Sequence, residues 1–214
     1  MTSNIEQTAN RIKLGRIIAI IRGDYSLDRL MEIGDALLAA PVLAMEVTLN
    51  SGNALEAIAL LRERAGENML VGAGTVRTVE QAETALSAGA QFLISPGFNP
   101  AVVALAQRQD VLHLPGVFTP TEAETAAAAG CRMLRLFPSD FGGPAYLKTL
   151  RAPLDDVDFV PTGGVTAANI GQYARAGAAA VGVGNSLVSG PQVSMVQIIS
   201  AARAMQAAWE SSLV

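Results

Sequence analysis

Short apolar runs alternate with longer stretches of helical period eight times along this chain, and that repetition restricts its fold more than any single residue does. Runs at 17–22, 43–49, 69–73, 92–95, 111–114, around Arg135, at 159–161 and at 180–183 read as strands. Segments 26–40, 54–64, 79–88, 100–109, 121–129, 146–150, 167–176 and 194–209 read as the helices between and after them, with Asp24 or Ser26 as N-cap of the first. Each strand-helix unit takes roughly 25 residues, and an open doubly wound sheet seldom uses so many equal units. The expected architecture is therefore α/β, a single-domain (β/α)8 barrel (TIM barrel) over residues 1–214, with a helix at 5–13 capping its bottom.

The composition agrees: 50% of residues are hydrophobic but only 5% aromatic, as in buried parallel strands packed under Ala-rich helices. A net charge of −4, with 15 Lys and Arg spread along the chain, argues against nucleic acid as a partner and for a small molecule. No apolar run is long enough for a membrane span. The single cysteine, Cys131, rules out an internal disulfide and a cysteine metal cluster; with no charged-then-apolar leader before the first strand, a cytoplasmic protein is expected. The mean hydropathy of +0.35 hints at a buried subunit interface.

In a barrel, chemistry sits at the C-terminal ends of the strands. Placed side by side, those ends collect Arg22, Glu46 to Asn50, Gly74-Thr75, Ser95-Pro96-Gly97, Pro115-Gly116, Arg135 with Phe137-Pro138, Thr162-Gly163-Gly164 and Gly184-Asn185-Ser186. If Met45 and Val47 face the helices, strand parity turns Ala44, Glu46 and Thr48 toward the axis. A carboxyl group in an apolar tube either pairs with Arg22 or Arg135 or stays neutral with a raised pKa; both suit proton transfer, and a structural ion pair is the alternative. The two glycine loops, 162–165 and 183–186, stand where barrels bind phosphate through backbone N–H groups and a following helix N-terminus, although tight turns also require such glycines. His113, the only histidine, lies in an apolar run without a second ligand or triad partner and reads as a core or hydrogen-bonded residue over a catalytic one. Cys131 reads as a small buried residue and Trp209 as a packing or interface residue.

Eight stretches together resemble the aldolases that split 2-keto-3-deoxy-6-phosphogluconate (KDPG) or 4-hydroxy-2-oxoglutarate (KHG) to pyruvate and an aldehyde. They are Ala19-Ile20-Ile21-Arg22-Gly23, Met45-Glu46-Val47-Thr48-Leu49, Val71-Gly72-Ala73-Gly74-Thr75-Val76, Ser95-Pro96-Gly97, Leu114-Pro115-Gly116-Val117 with Phe137-Pro138, Pro161-Thr162-Gly163-Gly164-Val165 and Val183-Gly184-Asn185-Ser186. The resemblance implies a homotrimeric (β/α)8 barrel with no cofactor. It implies Glu46 as general acid/base, Arg22 and Thr75 holding the substrate, and the Gly163-Gly164 and Gly184 to Ser186 loops binding its distal anion.

Two departures stand out. The resemblance implies a Schiff-base lysine on the sixth strand, where this chain has Arg135. A guanidinium stays protonated and cannot form the imine. The only lysines are Lys13, before the first strand, and Lys148, in the helix after the Arg135 strand. Asn50 stands where many members carry an arginine, and 49–51, 137–139 and 143–148 look closer to the phosphogalactonate branch.

A cation at 135 still stabilises an enolate. The expected function is thus a carbon–carbon lyase releasing pyruvate from a 2-oxo acid without an imine, by oxaloacetate decarboxylation or weak retro-aldol cleavage. The expected catalytic residues are Glu46 and Arg135, with Arg22, Thr48, Asn50, Thr75, Pro96, Phe137, Thr162, Gly163, Gly164, Gly184, Asn185 and Ser186 around the substrate. Alternatives are an ordinary KDPG, phosphogalactonate or KHG aldolase, with Glu46 and Asp140 as the only candidates for a divalent ion such as Mg²⁺, and a non-catalytic 2-oxo-acid-binding or scaffold protein.

Overall fold

The computed structural model describes residues 3–213. Nine α-helices, one 3-10 turn (Ser139–Phe141) and nine short strands occur among the described residues, strand and helix alternating except where the strands at 112–114 and 116–117 follow each other, and all strand pairs are parallel. The strands are β1 (Ile17–Ile21), β2 (Ala44–Thr48), β3 (Leu70–Gly74), β4 (Phe92–Ile94), β5 (Leu112–Leu114), β6 (Gly116–Val117), β7 (Met133–Leu136), β8 (Asp158–Pro161) and β9 (Val181–Val183). The helices are α1 (Asn4–Gly15), α2 (Leu27–Ala39), α3 (Ala54–Ala65), α4 (Val79–Ser87), α5 (Pro100–Arg108), α6 (Pro120–Ala128), α7 (Gly143–Arg151), α8 (Ile170–Arg175) and α9 (Met195–Glu210).

The ladder falls into two groups, ordered β5-β4-β3-β2-β1-β9 and β6-β7-β8. The expected run at 111–114 therefore continues into a second short strand, because Pro115 has no N–H with which to continue the ladder. Its carbonyl still accepts the Arg135 N–H at 3.0 Å, and on the far side Thr162 bridges to Gly182 in parallel.

Strand parity sorts the side chains into two cores. Met45 and Val47 pack outward with the helices in the larger one. Ile18, Ala44, Leu70, Phe92, Leu112, Met133, Val160 and Ala180 form the smaller one on the inner face, to which α1 contributes Ile12, with Ile5 and Ala9 beside it. Ser26 caps α2 by accepting the Arg29 N–H, while Asp24 instead accepts the Gly52 N–H. The helix expected at 167–176 shortens to α8, because the Asn169 side chain is drawn back into the preceding loop: its Oδ1 accepts the Thr166 N–H and its amide donates to the Gly164 carbonyl, each at 2.8 Å. No helix among the described residues is long and apolar enough to cross a membrane.

Candidate active site

Two residues further along each strand, the same inner face becomes polar. Above Ile18, Ala44, Met133, Val160 and Ala180 stand Ile20, Glu46, Arg135, Thr162 and Gly182, since alternate residues share a face. Close packing at this level needs residues without a Cβ: one on Gly74 would lie 2.6–2.9 Å from the Glu46 carboxyl atoms, and one on Gly182 would lie 2.4 Å from the Thr162 hydroxyl.

A cavity of about 400 Å³ opens there, lined by Arg22, Arg135, Phe137, Thr162, Gly163, Gly164, Gly184, Asn185 and Ser186 among the residues expected from sequence. Val165, the last residue of the expected 162–165 loop, lines it too, and so do Ile20, Thr166 and Gly182, which were missed. For Ile20 and Gly182 the signal was present in the two-residue strand period; for Thr166 it was absent, since loop shape brings it in.

Glu46 is fully buried, and neither carboxyl oxygen has a hydrogen-bond partner. Burial raises its pKa to about 7, against the downward pull of the Arg135 and then the Arg22 charge. Of the two states open to it, the group thus takes the raised-pKa one, without a direct ion pair. Arg135 is 2% exposed, its Cζ lies 4.5 Å from the Phe137 ring centre, and its Nε is unpartnered. Burial lowers the Arg135 pKa, Glu46 opposing and Arg22 reinforcing the effect. The Thr75 hydroxyl is also buried without a partner, on a backbone at φ +59°, a conformation that β-branched residues rarely adopt.

The glycine loops are held by their carbonyls. Ser139 Oγ donates to Gly163 O and the Asn169 amide to Gly164 O, both at 2.8 Å, and Ser186 Oγ donates to Val165 O. The N–H groups of Gly164, Val165, Asn185 and Ser186 then have no acceptor among the described residues, while the Thr162–Gly182 bridge uses that of Gly163. These free donors, in a loop bent by glycines at φ +106° and +67° and in the loop after β9, make an anion-binding rim. The expected helix N-terminus plays no part after β8, where α8 begins only at Ile170.

Other expected residues lie elsewhere. The Thr48 hydroxyl is 2.9 Å from the Ser51 hydroxyl, and Asn50 is exposed outside the cavity lining. Pro96 borders a neighbouring cavity of about 320 Å³ that shares Phe137. Asp140 lies against the glycine loop, its Oδ1 3.3 Å from where a Gly163 Cβ would be. No group of three His, Cys, Asp or Glu side chains suited to a metal occurs among the described residues. Lys13 pairs with Asp158 at 3.0 Å, and Lys148 is exposed on α7. His113 Nε2 is 2.7 Å from the Ser95 hydroxyl and burial lowers its pKa to about 4; burial raises the Cys131 thiol to about 11, and Trp209 is in the outer core.

The KDPG and KHG aldolase family model matches residues 8–201. The chain belongs to the KDPG and KHG aldolase family. It is a lyase by that membership. A 2-dehydro-3-deoxy-phosphogluconate aldolase of Treponema pallidum is 41% identical over 159 residues, 74% of this chain and 75% of that protein. A probable 2-dehydro-3-deoxy-6-phosphogalactonate aldolase of Rhizobium meliloti is 37% identical over 196 residues, 91% of this chain and 92% of that protein. Among solved structures, a native KDPGal structure superimposes with a TM-score of 0.87 at 32% identity, covering 92% of this chain and 95% of that one.

Proposed function

We propose that this aldolase-family lyase cleaves a phosphorylated 2-keto-3-deoxy sugar acid to pyruvate and an aldehyde, with Glu46 carrying the proton and Arg135 facing the enolate. The observation that carries the reading is Glu46, a fully buried carboxyl group with two free oxygens and a pKa of about 7 beside a guanidinium. A group titrating near neutrality takes and returns a proton with little driving-force penalty. In the carboxylate form it removes the C4 hydroxyl proton, the C3–C4 bond breaks, and the electron pair passes into the pyruvate enolate. The same carboxyl then returns the proton to C3. The free N–H groups of the glycine loops hold the distal phosphate, and Arg22, which lines the cavity, the proximal end; Thr75, outside that lining, is assigned there by the family resemblance alone.

The printed names of the relatives favour sugar-acid cleavage over oxaloacetate decarboxylation. Decarboxylation remains the second reading because Arg135 cannot form an imine, and losing CO₂ from a β-keto acid needs only a stabilised enolate. The wider setting proposed is a single barrel domain over 1–214, the two strand groups joined through Pro115 and the Thr162 bridge, working as a cytoplasmic homotrimer. One similar solved structure, 32% identical to the chain, is a cage designed by fusing symmetric oligomeric domains, which supports an oligomer.

The test is pyruvate release by wild type and Arg135→Lys from KDPG, its galactonate counterpart and oxaloacetate, with and without borohydride. Wild type is expected to cleave a sugar acid slowly and without borohydride inactivation, while the lysine variant gains rate and becomes sensitive. Release from oxaloacetate alone would move the second reading to first place. No release from any of the three would sink both.

A further inference from the structure

Arg135 carries a charge that no carboxylate of the described residues pairs with directly. It is 2% exposed and its Nε has no partner, and no ion pair among the described residues includes it. Glu46 is near enough to be felt electrostatically, yet both its oxygens are free of hydrogen bonds. A guanidinium cannot shed its proton as a buried lysine does, so burial without an anion in contact is costly and favours an anionic ligand on its free N–H groups. The shape of that ligand follows from the surroundings. Phe137 covers one side of the guanidinium at 4.5 Å, leaving the planar N–H fork as the ligand-facing element. Glu46, when neutral, has one O–H to give.

We infer that Arg135 is a non-covalent seat for a planar ligand with two adjacent, negatively charged oxygen acceptors, the class that includes oxalate and the enolate of a 2-oxo acid. The seat rests on the proposed function only in placing a 2-oxo acid in this cavity. It is distinct from the phosphate rim, whose donors are backbone N–H groups of the loops after β8 and β9. The chain should then hold two anions at once, one on the fork and one on the rim.

Calorimetric titration of oxalate into wild type, Arg135→Met and Arg135→Lys, with and without saturating inorganic phosphate, tests this. Wild type is expected to bind one oxalate; methionine should weaken binding by roughly tenfold or more and lysine by less, since a point charge replaces a fork. Phosphate should leave the oxalate affinity unchanged, and its own binding reports that each variant is folded. Equal oxalate affinity in wild type and a phosphate-binding Arg135→Met protein would overturn the seat. So would competition between phosphate and oxalate, which would place both on the rim. If methionine unfolds the chain, the lysine variant decides by the same comparison. Pyruvate release by a wild type that binds no oxalate would remove the seat and leave the proposed function standing, and oxalate binding without pyruvate release from any substrate would do the reverse.

Discussion

Glu46 is held in its environment at the expense of stability, and the sign of that cost can be worked out. Its folded pKa of about 7 lies above the ordinary 4.5, so between those values the folded state keeps a proton that the unfolded state has released. Stability therefore falls as pH rises through this window, and above about pH 7 the loss reaches about 3 kcal/mol. Glu46→Gln, which cannot ionise, should unfold at a higher temperature than wild type at pH 8, with the gain vanishing near pH 4.5. Thermal melts across that range check it, and equal melting at pH 8 would show that the carboxyl is not held near neutrality by burial. The same variant should release pyruvate slower by roughly two orders of magnitude or more, the usual worth of a general acid/base.

At the scale of elements, two placements carry different burdens. Helix α1 sends Ile12, fully buried, into the inner core, opposite in strand direction to the cavity. Ile12→Ala should cost about 3 kcal/mol in denaturant unfolding while leaving the KM for substrate unchanged, because the deleted methyl groups leave a cavity in the floor and not in the site. A KM change matching the stability loss would mean that the floor and the rim respond as one. Strands β4 and β5 are tied on the outer face by the Ser95–His113 contact. Burial depresses the His113 pKa from 6.5 to about 4, so the unfolded state binds the proton first as pH falls. The stability present above pH 6.5 should be lost progressively toward pH 4, and His113→Gln should flatten that acid limb in denaturant melts.

At the scale of the whole molecule, an apolar cluster remains at the surface. Phe141, 87% exposed, meets Phe118 edge-on at 6.4 Å, and Phe118 stacks on Tyr146 at 5.1 Å. An exposed aromatic of this size is stabilised when a neighbouring subunit covers it. Sedimentation velocity is expected to give three times the chain mass, with Phe141→Ser shifting the distribution toward smaller species; a wild type that sediments as a monomer would dispose of the trimer.

The sequence by itself determined the α/β alternation and nearly every element, because periods of two and of 3.6 are local properties of the chain. Strand parity alone puts Ala44 and Glu46 on the inner face. The glycines of the two loops and the aldolase-like motifs marked most of the cavity wall. Tertiary structure decided what parity could not. It divided the strand ladder at Pro115, shortened the helix after Thr166, spent the Thr48 hydroxyl on Ser51 and left Asn50 outside the cavity lining. It also left Glu46 and Arg135 both buried and both without a hydrogen bond at their key atoms. Which polar groups find partners depends on ångström-scale distances between strands far apart in the chain, and those distances are set by packing of the whole.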